Sequence, residues 1–207
     1  MTTQDIIERL QILEDREAIR DVLYKYARGA DRCDLELFKS CYWPDATDYH
    51  WFFNGNAHAF ADYVIPLLAQ IDNSQHSITN PIIELDGDRA FVECQWYVLH
   101  HMELADGSGR YVDQQLEGRY VDVFERRDGV WKILHRHTVT EAGREFVVPG
   151  LYQGVPDELP MLGKRAPHDV VYANMAILDI DLIKIDGMDL WEQARARHRR
   201  EDVSSGA

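Results

Sequence analysis

Residues 110–141 read RYVDQQLEGRYVDVFERRDGVWKILHRHTVTE. Two runs rich in Val, Ile, Tyr and Phe flank the pair Asp128–Gly129, a short-range hairpin signal because both residues tolerate positive φ. The same texture lies upstream in HSITNPIIEL (76–85) and RAFVECQWYVLHHMEL (89–104). DGDR at 86–89 and ADGSG at 105–109 punctuate those runs as hairpin connections would. From residue 76 the chain therefore reads as a meander of long antiparallel strands.

Ahead of the meander the period changes from two to about 3.6. Between residues 4 and 29 the apolar positions are Ile6, Leu10, Leu13, Ile19, Leu23 and Tyr26, with Ala30 just beyond. Intervals of three, four or their sums mark an amphipathic helix, and Gly29 is a place for it to loosen or end. DLELFKSCY (34–42) reads as a short helix with Asp34 as cap. WPDATDYHWFF (43–53) reads as a strand after a turn, and GNAHAFADYVIPLLAQI (55–71) as a helix kinked at Pro66. Helices followed by a meander give an α+β fold with the helices packed on one face of a curved sheet.

Residues 1–145 make one domain on this reading, and 146–207 a C-terminal extension. The extension comprises a Pro- and Gly-rich arm and a terminal helix, DLWEQARARHRR (189–200). It packs on the same domain or on a neighbouring subunit.

Composition narrows the partners. The 207 residues, 45% of them hydrophobic, suffice for a full core, and the net charge of −14 disfavours nucleic acid and anionic membranes. No apolar run approaches a membrane span, and MTTQDIIERL lacks the stretches of a signal peptide. Three cysteines without CxxC spacing fit buried thiols in a reducing cytoplasm. His135 and His137 share a strand face and His100 adjoins His101, but no third ligand stands at diagnostic spacing. No metal is expected. Motifs for nucleotide binding and for acyl-serine chemistry are also missing.

The first helix poses a chemical question, because its apolar face runs straight into Asp31 with Tyr26 just before it. On an unbroken helix the two would stand about 140° apart, so both line one cavity only if the helix loosens or the cavity wraps its end. Taken together, IRDVLYKYARGAD, CYWPDA, QHSITN and the closing hairpin (Tyr120, Phe124, Arg126, Asp128, Gly129, Trp131, Lys132) resemble a known family. It is the SnoaL-like branch of the nuclear-transport-factor-2-like superfamily, which includes scytalone dehydratase, bile acid 7α-dehydratase and hexachlorocyclohexane dehydrochlorinase. The resemblance covers roughly residues 8–142.

That resemblance implies a cone-shaped α+β barrel, with a curved, mostly antiparallel sheet wrapped around the long N-terminal helix and enclosing an apolar pocket. It also implies cofactor-free elimination by an Asp–His pair, carried here by Asp31 and His76. Tyr26 and Arg136 join them as catalytic candidates, and Tyr49, Trp51, Tyr120 and Trp96 are expected to bind substrate. If the register of the strand holding Tyr49 were one residue off, His50 would replace it. Arg136 shares a face with Leu134 and Thr138, and a shift of one residue would exchange it for the face of Ile133, His135 and His137.

An imidazole can take a proton from carbon, an adjacent carboxylate fixes its tautomer, and a phenol can hold the departing or enolised oxygen. The expected activity is loss of water from a small hydroxylated cyclic or aromatic molecule in cytoplasmic aromatic catabolism. Loss of formaldehyde from a lignin-derived diaryl propanediol fits the same machinery. An isomerase or cyclase acting through a dienolate needs the same groups. A non-catalytic module like the β-subunits of aromatic-ring dioxygenases would not need Asp31 and His76 to meet. Relatives assemble through the sheet, and a homo-oligomer is expected, a trimer ahead of a dimer.

Overall fold

The structure, a computed structural model, describes residues 1–148 and 163–175. Helix α1 spans Thr3–Arg32, and Thr2 and Asp5 form a reciprocal cap at its start. It does not end at Gly29. It runs on to Arg32, where Cys33 in the left-handed region closes it. Gly29 serves close approach instead. A Cβ there would lie 2.9 Å from the Phe38 Cα and N, backbone atoms of the following helix that cannot swing aside.

The face of α1 carrying Ile19, Leu23, Tyr26 and Ala30 is buried, as its spacing predicts. Ile6, Leu10 and Leu13 continue that stripe but are exposed, at 44%, 53% and 63%. Periodicity names a face; whether anything covers it depends on how far the sheet extends, and here burial begins only at Asp15.

Helix α2 spans Leu35–Ser40 with Asp34 accepting from the Leu37 N–H. Strands β1 (Tyr42–His50) and β2 (Phe53–Asn56) then form a hairpin, so the run expected as one strand turns back at Trp51–Phe52. Helix α3, Ala57–Leu68, is capped by Asn56 and carries Pro66 in its last turn. The meander is β3 (Asn73–Asp86), β4 (Arg89–Glu103), β5 (Tyr111–Arg127) and β6 (Val130–Val148). Asp128 and Gly129, at φ 51° and 79°, make the tight turn between the last two strands.

The sheet order is β2-β1-β6-β5-β4-β3, antiparallel throughout except for the parallel pair β1–β6. The expected barrel is thus an open, curved sheet with β2 and β3 as its edges. Phe38, Phe60, Phe124 and Ile133 are at most 1% exposed at its centre. Each such side chain contributes about 1.5–3 kcal/mol. The hairpin motif pins the middle of α1 to this core. Asp15 accepts from Arg126 Nη1 at 2.9 Å and from Trp131 Nε1 at 2.8 Å.

None of the three cysteines is in a disulfide; Cys41 and Cys94 are buried. No helix of the described residues is long and apolar enough to cross a membrane. By its contacts the chain divides into two units, Met1–Gly154 and Val155–Ala207. In the second, helix α4 covers Val170–Met175, and Asp169 accepts from the Lys164 and Val171 N–H groups. The terminal helix expected at 189–200 and most of the arm before it lie outside the described residues.

Candidate active site

The end of α1 meets the start of β3. Asp31 is 8% exposed, a position a carboxylate occupies only when its oxygens are satisfied. The His76 backbone N–H donates to both oxygens at 2.9 Å, and the Ser74 hydroxyl donates to Oδ1 at 3.2 Å. His76 Nδ1 lies 2.7 Å from Oδ1. An ionised carboxylate only accepts, so Nδ1 bears the proton and Nε2 carries the lone pair.

His76 lines a cavity of about 240 Å³. Its apolar wall includes Phe38, Phe60, Val64, Leu68, Val98 and Leu116. Its polar groups come from Tyr26, His50, His100, Gln114, Tyr120 and Thr138. Tyr26 and Asp31 need not share a wall: α1 stays helical through both, Tyr26 faces the cavity, and Asp31 stands behind His76. Burial pushes the Tyr26 phenol up to about 12, against the pull of Arg136, and burial likewise raises Tyr120 well above the ordinary value. Both hydroxyls therefore keep their protons and can donate.

Arg136 does not reach the cavity, contrary to the role expected of it. It is fully buried and makes a forked ion pair with Asp122, Nε–Oδ1 at 2.9 Å and Nη2–Oδ2 at 2.7 Å. Burial opposes its charge, yet the Asp122 carboxylate holds it protonated. Its guanidinium carbon lies 4.1 Å from the Tyr26 ring centroid and 3.8 Å from that of Tyr120. Arg136 thus stiffens the tyrosine wall from behind. A bulge at Leu134, where Phe124 faces Ile133 and Val123 faces His135, lets Ile133 and Arg136 both point inward.

Tyr49 also lies elsewhere. It is 37% exposed and rests on His137, ring centroids 4.4 Å apart, on the outer face. Inward positions on β1 are Ala46, Asp48 and His50, so His50 occupies the cavity in its place. Trp51, 75% exposed, stands in the lining from the β1–β2 turn. Trp96 and Tyr120, expected to bind substrate, line the cavity and stack at 5.8 Å. The Trp96 Nε1–H has no acceptor among the described residues, which leaves it available to a bound molecule.

Sequence reasoning placed His50 only as a stand-in, weighed His100 only as a metal ligand, and passed over Gln114 and Thr138. A signal for His50 was present: Asp48 and His50 are two apart, hence on one face of a strand. The tempting pair His135 and His137 faces outward, with His135 Nδ1 2.7 Å from the Thr47 hydroxyl. Among the described residues no group of three His, Cys, Asp or Glu side chains is set to hold a metal.

Several solved structures share this architecture. A hexachlorocyclohexane dehydrochlorinase (LinA) of type 2 superimposes with a TM-score of 0.60 at 21% identity, covering 73% of this chain and 99% of its own. The type 3 enzyme of Novosphingobium barchaimii LL02 gives 0.55 at 23%, covering 72% and 99%. A candidate scytalone dehydratase of Novosphingobium aromaticivorans DSM 12444 gives 0.57 at 20%, covering 66% and 90%. At such identities the likeness is one of fold. No curated protein matches the chain. The SnoaL-like domain matches residues 11–137, from the first helix through the Asp31–His76 pair to the last strand, and the chain belongs to that family.

Proposed function

We propose that the protein is a cofactor-independent lyase that removes water from a small hydroxylated cyclic or aromatic molecule, with His76 as base and Asp31 as its orienting partner. The observation that carries this reading is the buried Asp31–His76 contact of 2.7 Å at the wall of an apolar cavity. A substrate C–H proton would pass to His76 Nε2, and Asp31 would steady the resulting imidazolium. The protonated hydroxyls of Tyr26 and Tyr120 and the Trp96 N–H offer donors to the oxygen on which charge develops. One such donor in a dry site lowers the barrier by about 3–4 kcal/mol. The names of the similar structures, a dehydratase and dehydrochlorinases, are those of eliminations and agree with this assignment. Formaldehyde loss from a diaryl propanediol asks for the same base and donors.

The purified chain would be incubated with a panel of hydroxylated aromatics, sterols and diaryl propanediols, with loss of water read by mass and formaldehyde by a colour reaction. Turnover should appear on at least one class and fall by about 10²–10⁴ in His76→Ala, with the melting temperature nearly unchanged. A panel hit that survives His76→Ala would overturn the assignment.

The assembly we propose is a homotrimer through the outer face of the sheet, where Ile82, Phe91 and Tyr97 are 56%, 42% and 38% exposed. Light scattering of the purified chain decides between one, two and three copies.

A further inference from the structure

The cavity has a second imidazole built like the first. His50 Nδ1 lies 2.5 Å from Asp48 Oδ1, and Asp48 is fully buried. The other Asp48 oxygen accepts from the Tyr42 hydroxyl. The His50 ring stacks on Phe60, centroids 4.3 Å apart and planes 21° from parallel, which fixes its orientation. Its Nε2 stands 3.1 Å from the Thr138 hydroxyl, itself part of the cavity wall. A third pair, His101–Asp113, shows that a backed imidazole alone does not make a site, since neither residue lines the cavity.

His50 comes from β1 and His76 from β3, with β6, β5 and β4 between them in the sheet. The curvature of the sheet brings both rings to one space of about 240 Å³. A buried carboxylate at Nδ1 fixes the tautomer of its ring and directs Nε2 at the cavity, so each ring can exchange a proton with a bound molecule.

We propose that His50, held by Asp48, is a second catalytic acid–base group that gives a proton to the departing oxygen while His76 takes one from carbon. The proposal rests on the lyase reading of this cavity. The C–H electron pair forms the new C=C bond, the C–O bond breaks, and the oxygen leaves as water with the Nε2 proton of a His50 that enters the cycle as imidazolium and leaves it neutral. Solvent then returns a proton from His76 to His50. The substrate class follows from this arrangement: a neutral molecule whose acidic C–H and poor leaving hydroxyl lie on adjacent carbons, one that requires acid assistance.

Two probes of one ring system separate base from acid. 1,2-Benzisoxazole and its 5-nitro derivative both open when a base takes the C3 proton, the nitrile forms and the N–O bond breaks. The nitrophenolate leaves unaided, whereas the unsubstituted phenolate gains from a proton donor. His76→Ala should abolish acceleration of both. His50→Gln and His50→Phe, the latter keeping the stack on Phe60, should slow the unsubstituted probe about 100-fold and the nitro probe less than about tenfold. Equal losses on both probes in folded His50 variants would show that the ring only shapes the cavity and would overturn the proposal. A loss confined to His76→Ala would remove His50 while leaving the lyase reading in place. Opening no faster than in buffer would remove both.

Discussion

Arg136 and Asp122 form a forked ion pair in which neither side chain reaches solvent. Removing one partner of such a pair strands a charge in the interior and costs about 3–5 kcal/mol, whereas replacing both by apolar groups is far cheaper. Asp122→Ala should therefore lower the melting temperature sharply. Arg136→Met combined with Asp122→Leu should recover most of the loss. Thermal unfolding followed by circular dichroism checks both.

Asp31→Asn tests the other buried acid. The amide oxygen cannot serve the His76 N–H, the Ser74 hydroxyl and the imidazole together, and its NH2 would face donors. Stability should fall by about 1–3 kcal/mol and turnover should fall with it. His76→Ala leaves the backbone N–H and the Ser74 hydroxyl on the carboxylate and should lose turnover alone. Parallel urea unfolding and rate measurements separate the two variants.

Alkaline stability should report on Tyr26. Burial, opposed by Arg136, pushes its phenol up to about 12, while an unfolded tyrosine ionises at about 10. Between those values the fold holds a proton that the unfolded chain has lost. This contribution is complete below about pH 10 and disappears as pH rises toward 12, by up to about 1.4 kcal/mol per pH unit. In Tyr26→Phe the alkaline decline should be shallower by up to that amount, with Tyr42 and Tyr120 still contributing theirs. Urea unfolding at stepped alkaline pH gives the two slopes.

Gly29→Ala should be destabilising although the position lies inside a helix, where alanine is normally favoured. The added methyl meets the Phe38 backbone at 2.9 Å, so α2 must shift. A loss of about 1–3 kcal/mol is expected, and a melting temperature equal to or above that of the parent would contradict the packing.

The buried stripe of α1 from Ile19 to Ala30, and the hairpin around Asp128–Gly129, were legible because periodicity and turn chemistry are local. Facing was not. Tyr49 and His50 exchange roles with a shift of one residue, and the parity of β1 depends on the turn at Trp51–Phe52. On β6 strict alternation put Ile133 and Arg136 on opposite faces; the bulge between them cancels the alternation. The exposed Ile6, Leu10 and Leu13 fail for another reason, since a periodic stripe says nothing about the length of sheet available to cover it. Arg136 was found at the site but in the wrong capacity, because only packing reveals that two aromatic rings stand in front of it.

On the proposed reading one acid carries two duties. Strand β3 is an edge, with β4 on one flank only, and Asp31 receives the His76 amide on the open flank where a neighbouring strand would stand. The carboxylate is therefore a mason's tie for the sheet before it is a tool for chemistry. A descendant that abandoned turnover could shed the imidazole cheaply but would have to retain the acid.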